Sequence, residues 1–217
     1  MRGAKEWASL RYEMALWAEG YTRIAGLDEA GRGAWAGPVV AAAVVLPADH
    51  MSCVPLLGAV HDSKQLTPEQ REQLFLAIRE VAAGVGVGIV PASVIDQVGI
   101  VLATRQAMEQ ALRALSRSPD HLLIDALQLP QVPYPQQAVT HGDAISLSIA
   151  AASIIAKVTR DHILVELDNR YPGYGFARHK GYGTALHRAA LARLGPCPEH
   201  RRSFRPIRGW PSEEERR

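Results

Sequence analysis

The chain has 217 residues, 47% hydrophobic and 21% charged, a composition that excludes intrinsic disorder and suits one globular domain with a small appendage. Its two cysteines, Cys53 and Cys197, lie far apart without metal-ligand spacing, which excludes a disulfide scaffold or zinc finger and fits a reducing, cytoplasmic setting. The formal net charge is only +2, yet residues 178–208 hold eight Lys or Arg against the single acid Glu199, so a polyanionic partner is expected at one end of the molecule. No stretch approaches the ~20 apolar residues of a membrane helix. The charged start, MRGAKEWASLRYEMALWAEG, lacks the apolar core of a signal peptide, and no membrane partner is expected.

Residues 5–19 are predicted as a helix closed by Gly20, and 22–28 as a strand. Gly31, Gly33 and Gly37 then break the chain before an apolar strand over 38–46. Thr67-Pro68-Glu69-Gln70 starts a helix running to about residue 82, with Thr as cap, Pro in the first turn and Gln three residues after the cap. A short strand follows over 85–90, then a helix over 100–116 and the strand HLLID over 121–125. Small residues predict a closely packed helix over 144–157 and a second one over 159–170, ended by Tyr171-Pro172-Gly173. Thr184 caps a last helix, 185–194, closed by Gly195-Pro196. Strands alternating with helices define an α/β class. The organisation expected is an N-terminal helical extension over 1–20 that packs on the surface, a catalytic domain over 21–209 and a charged tail over 210–217.

Four carboxylates stand at element ends. Asp28 and Glu29 follow an apolar strand, Asp125 closes the HLLID strand, and Asp143 after Gly142 occupies an N-cap position. In α/β sheets, ligands gather at the carboxyl ends of strands. A turn or cap accounts for Asp125 or Asp143 taken singly. It does not account for Asp28-Glu29, because adjacent acids repel unless a positive charge sits between them. Arg32 is one such charge, and a divalent ion is a better one. Neighbours on a regular strand face opposite ways, so both acids reach one site only if the strand ends there. Oxygen ligands without His or Cys favour Mg2+ or Mn2+. Gly31-Arg32-Gly33 brings backbone close to a sugar-phosphate or makes a plain tight turn. Ser63 and Lys64 bind phosphate or form a polar turn. Tyr171, Tyr174 and Tyr182, interleaved with Arg178, His179 and Lys180, make a nucleic-acid stacking surface or fill a core.

The stretches IAGLDEAGRGAWAGPVVAAAVVLP (24–47), HDSKQLTPEQRE (61–72), HLLIDAL (121–127), HGDAISLSIAAASIIAKVTRD (141–161), RYPGYGFARHKGYGT (170–184) and HRRSF (200–204) resemble, in order, those of bacterial ribonuclease HII. The resemblance implies an RNase H-like mixed sheet flanked by helices with a C-terminal helical extension. It implies hydrolysis of RNA in RNA–DNA hybrids and incision 5′ to single ribonucleotides in duplex DNA, leaving 3′-hydroxyl and 5′-phosphate ends. Its metal-binding acids match Asp28, Glu29, Asp125 and Asp143, its 2′-hydroxyl-reading loop Gly31, Arg32 and Gly33, and its ribonucleotide-sensing tyrosine Tyr182. Ser63, Lys64 and Lys180 are expected at the phosphates. The family usually has Pro where Ala34 stands, which is expected to loosen the turn without removing a ligand. The leading helix is too short for the N-terminal domain of ribonuclease HIII. A monomer is expected, and the tail RGWPSEEERR shows no clear pattern for docking on a sliding clamp. The rival readings are a silent hybrid-binding protein and a nuclease of the resolvase or transposase type that cuts all-DNA junctions.

Overall fold

The apolar runs pair into one five-stranded sheet in the computed structural model, which describes residues 8–53 and 66–210. Its strands are β1 (Ile24–Ala30), β2 (Val39–Val45), β3 (Gly84–Val90), β4 (His121–Asp125) and β5 (Gln136–Val139), in the order β3-β2-β1-β4-β5. β2 runs antiparallel to both β1 and β3, whereas β4 is parallel to β1 and to β5. The sheet is therefore mixed. All seven residues of β2 are buried, which is why VVAAAVV carries no polar side chain: helices cover both of its faces. β5 escapes the sequence reading because QQAV is short, half polar and at the sheet's edge.

Eight helices are described: α1 (Arg11–Ala18), α2 (Pro68–Val81), α3 (Ala92–Val98), α4 (Ile100–Arg113), α5 (Gly142–Ile145), α6 (Leu147–Arg170), α7 (Phe176–His179) and α8 (Ala185–Leu194). The expected capping box is present at α2, where Thr67 accepts from the Gln70 N–H and Gln70 accepts from the Thr67 N–H. Thr184 likewise caps α8 through the His187 N–H. The helices predicted over 144–157 and 159–170 are instead the single 24-residue α6. The break falls earlier, at Ser146, whose extended backbone separates α5 from α6 and whose hydroxyl accepts from the Ile149 N–H. The leading helix begins at Arg11 rather than residue 5, and residues 1–7 lie outside the described ones. The seven-residue α3 was not predicted.

α6 and α2 cover one face of the sheet, α4 the other. α6 lies hard against β1: a Cβ on Gly26 would sit 2.2 Å from the carbonyl carbon of Ser148. Beyond α6, residues 171–210 with α7 and α8 build a smaller core around Tyr174, Phe176, Leu164 and Leu191. It is tied back by a backbone bridge between Ala36 and His200. Among the described residues, no helix is long and apolar enough to cross a membrane. Gly26→Ala must push α6 off β1, and overpacking of this kind costs about 1–3 kcal/mol. The expected outcome is a melting temperature lower by about 2–4 °C per kcal/mol, while Gly33→Ala, whose Cβ would meet nothing within 4 Å, stays near wild type in the same thermal scan.

Candidate active site

The parallel pairing of β1 and β4 brings their carboxyl ends to one edge. Leu27 and Ile124 are the last register partners, so Asp28 and Asp125 stand side by side just beyond the ladder. β1 does not end between its two acids, as their sharing a site seemed to require; it runs on to Ala30. The β4 side of β1 is nevertheless unpaired after Leu27, and both carboxylates reach the gap so opened. Asp125 Oδ1 accepts the Gly142 N–H at 2.8 Å, which draws α5 and its Asp143 to the same edge. Asp143 is not an N-cap. It lies in the first turn of α5, whose cap position is the left-handed His141, and the cap that matters here is Ser146 on α6.

Asp28, Glu29, Asp125 and Asp143 thus line one cleft of about 520 Å3, together with Gly31, Arg32, Gly33, Ser153 and Tyr182. Burial pushes the Asp28 carboxyl well above the ordinary carboxylate range. The charges of Glu29 and Asp125 push it further, and a hydrogen bond from Ser153 only partly offsets them. Burial also raises Glu29, against the pull of Arg32, whose Nη1 lies 3.1 Å from Glu29 Oε1. Glu29 Oε2 is buried with no hydrogen-bond partner. The donor set is all oxygen, and its acids repel one another even with Arg32, Arg71 and Lys157 around the cleft, which fits a hard divalent cation. Among the described residues, no three Asp, Glu, His or Cys side chains close into a cage. Mg2+ does not need one: it binds through one or two carboxylates and completes its shell with water and phosphate oxygens.

Gly31 opens the turn beside the acids at φ +93°, and a Cβ there would lie 2.0 Å from Arg160 Nε. The Ala34 N–H donates to the Gly31 carbonyl at 3.3 Å, a bond that proline cannot make. Tyr182 is 38% exposed and its ring lies 5.5 Å from the Arg160 guanidinium carbon. The other two tyrosines take the core alternative: Tyr174 is buried and donates to the Gly195 carbonyl, and Tyr171 packs against the same cluster. His179 is structural too, bonded to the Tyr174 carbonyl and the Gly181 N–H. Lys180 is not in the cleft. Its ammonium donates to the Ala177 carbonyl, and it lines a neighbouring groove with Arg71, Lys157 and Arg178. Ser63 and Lys64 lie outside the described residues.

Most of the basic run over 178–208 is exposed, as expected: Arg178, Arg188, Arg193, Arg205 and Arg208 lie at the surface, and Arg201 is the exception. Arg201 is fully buried, donating to the carbonyls of Arg32, Gly37 and Pro38, and Arg193 is held by the Gly173 carbonyl. Arg71 and Lys157, which do line the cleft, went unnoticed because each reads as a solvated helix residue. For Lys157 the signal is spacing: Ser153 and Lys157, at i and i+4, share a face of α6. Among the described residues, three non-glycine ones adopt left-handed backbone, namely Ala126, His141 and Lys180. Each lies within two positions of Asp125, Asp143 or Tyr182, where strained backbone tends to collect.

The profile of the ribonuclease HII family matches residues 25–207. Ribonuclease HII of Chloroflexus aurantiacus is 59% identical over 198 residues, covering 91% of this chain and 93% of that protein. Among solved structures, the ribonuclease H2 of Pyrococcus horikoshii superposes with a TM-score of 0.72 at 28% identity, over 86% of this chain and 95% of that one. The PCNA:RNase HII complex of Archaeoglobus fulgidus gives 0.68 at 26% identity, over 82% and 93%. With its mixed sheet and flanking helices in the RNase H-like arrangement, the chain belongs to the ribonuclease HII family of metal-dependent endoribonucleases.

Proposed function

We propose that the chain hydrolyses the RNA strand of RNA–DNA hybrids and incises 5′ to single ribonucleotides embedded in duplex DNA, leaving 3′-hydroxyl and 5′-phosphate ends. The observation that carries this reading is the meeting of four carboxylates, the Gly31–Gly33 turn and the exposed Tyr182 ring in one cleft. Asp28, Glu29, Asp125 and Asp143 would hold Mg2+ or Mn2+. A pair of such ions, when bound, supplies Lewis acidity for the attacking water and for the charge that develops on the leaving oxygen. The chain's own residues select and place the substrate. A 2′-hydroxyl is what separates RNA from DNA, and the Gly31–Gly33 backbone, with no side chain at Gly33 to stand in the way, approaches the sugar closely. Tyr182 packs on that sugar from the other side. Arg71 and Lys157 meet the phosphates at the rim, with Lys180 in the adjoining groove and Ser63 and Lys64 in the roles that the family resemblance implies.

The deciding experiment is cleavage of a DNA duplex with one internal ribonucleotide in Mg2+, Mn2+ and EDTA, beside an all-DNA duplex. A metal-dependent cut 5′ to the ribonucleotide and an intact control are expected. Cutting of all-DNA substrate favours a resolvase-type nuclease, and binding without cutting favours a silent binder. Asp28→Asn lowers cleavage by at least about 10²-fold, the scale for losing one group that stabilises the transition state, and leaves hybrid binding intact. The same change raises the melting temperature of the metal-free protein at neutral pH. Folding holds the Asp28 carboxyl above its unfolded value, so its ionised form opposes folding at neutral pH. That cost vanishes at low pH, where the group is protonated in both states, and a thermal scan at two pH values checks it.

Raised carboxyls also make ion binding compete with protons. At limiting Mg2+, cleavage falls as the pH drops towards the raised Asp28 and Glu29 values, and saturating Mg2+ restores it. An identical pH profile at both concentrations contradicts this. Tyr182→Ala reduces cleavage at a single ribonucleotide by about 10-fold or more, on the scale of a lost stacking contact of ~1–3 kcal/mol. It costs folding less than it costs cleavage, because the ring is only partly covered, and equal losses in a thermal scan and in the cleavage assay contradict the role.

A further inference from the structure

Glu13, on α1, is fully buried, and nothing in the proposed chemistry uses it. Its Oε1 accepts three hydrogen bonds, from the Ser146 hydroxyl at 2.7 Å, the Ser148 N–H at 2.9 Å and the Ser148 hydroxyl at 2.6 Å. Its Oε2 is buried without a hydrogen-bond partner. A buried carboxylate is costly to keep, so its placement calls for a reason. Ser146 is the joint between α5, which carries Asp143, and α6. The first N–H groups of a helix have no partner within it. In α6, Leu147 donates to the Ser9 carbonyl, Ser148 to Glu13 and Ile149 to Ser146 Oγ. Two of these three acceptors come from the N-terminal segment, and the third is itself gripped by Glu13. The negative charge also lies at the positive end of the helix dipole.

The joint is held from all sides. The Ser9 N–H donates to the Ile145 carbonyl, the last residue of α5. On the far side Gly26 lets β1 touch Ser148, two residues before Asp28. Any shift of the α5–α6 joint therefore moves Asp143 relative to Asp28 and Asp125. We propose that Glu13 is a positioning residue for Asp143: the N-terminal segment caps α6 from outside and so fixes the carboxylate geometry that a divalent ion meets. The inference rests on the reading of the four acids as ion ligands and adds a residue upstream of the family-matched 25–207.

The test is direct Mn2+ binding to the full chain without substrate, by titration calorimetry well below each variant's melting temperature. Partners that orient metal ligands typically contribute 10–100-fold in affinity. Glu13→Ala is expected to weaken Mn2+ binding by about 10-fold or more, while Glu13→Gln, which keeps an amide oxygen for the three donors, stays within about threefold of wild type. Ser148→Ala, the milder change, is expected to weaken it by about threefold and supplies the answer if Glu13→Ala does not fold. Asp143→Asn separates the two readings. If it binds Mn2+ like wild type, the ion-ligand reading fails. If it binds more weakly while folded Glu13→Ala or Ser148→Ala keeps wild-type affinity, the ion-ligand reading stands and the positioning role is overturned. A purely structural Glu13 would lower the melting temperature equally with and without Mn2+ and leave the affinity untouched.

Discussion

Arg160 and Arg201 bring two positive charges into the interior and spend their donors on main-chain carbonyls: Ala36, Pro38 and Lys180 for the first, Arg32, Gly37 and Pro38 for the second. Burial and the charge of Arg160 push the Arg201 pKa below the ordinary arginine value, a sign of how unfavourable the pairing is by itself. It is tolerated because a rigid guanidinium fork satisfies several carbonyls that turns leave without backbone partners. These carbonyls belong to the Gly31–Gly33 turn, the 36–38 entry into β2 and the loop before Tyr182. Two side chains thus fix three segments that share no secondary structure. Truncating either would leave buried acceptors unpaired, at about 1–3 kcal/mol each. Gly31 belongs to the same arrangement, since any Cβ there would displace the Arg160 side chain.

The acids present the opposite problem, charge concentrated rather than spread. Parallel pairing stops at Leu27 and Ile124, and a helix N-terminus is drawn in by the bond from Gly142 to Asp125. The metal-free cleft is strained electrostatically by construction: Asp28 is buried beside Glu29 and near Asp125, with Arg32 as the close counter-charge of Glu29. Such a site gains more from a cation than a solvated one does. Arg71 and Lys157 add positive charge to the lining of the same cleft, Lys157 being paired with Asp161 on its own helix.

What could be read from the sequence was local. Thr67 and Thr184 announce helices because a cap's chemistry lies within four residues, and the acid after HLLI marks the end of β4, whereas β1 runs past Asp28 and Glu29 to Ala30. Non-local facts were lost. Arg201 reads as one more charge in a basic run, and only the approach of the 32–38 carbonyls makes it interior. Tyr174 and Tyr182 look alike in RYPGYGFARHKGYG, and tertiary contacts separate them: Tyr174 stacks on Phe176 and bonds the Gly195 carbonyl. Ser63 and Lys64 rest on the motif alone. The helix boundary went astray because Lys157-Val158 has polar-to-apolar rhythm but no breaker, whereas Ser146 breaks the helix through bonds to a segment more than a hundred residues away.

That boundary decides how the two halves of the site are related. A helix broken near residue 158 would let the acid cluster and the loops of Gly31–Gly33 and Tyr182 move separately. A continuous α6 does not. At ~1.5 Å per residue, it runs about 20 Å from the Ser146 joint beside Asp143, past Ser153 and Lys157 on the cleft, to Arg160 beneath Gly31 and Tyr182. The α5–α6 joint beside Asp143 and the Arg160 side chain under Gly31 and Tyr182 are therefore tied to one continuous helix, the N-terminal segment bonding at the first and the carbonyl clamp at the second. On the function proposed above, a substrate seated at Tyr182 would thereby be held in register with Asp28 and Asp143 through a single helix.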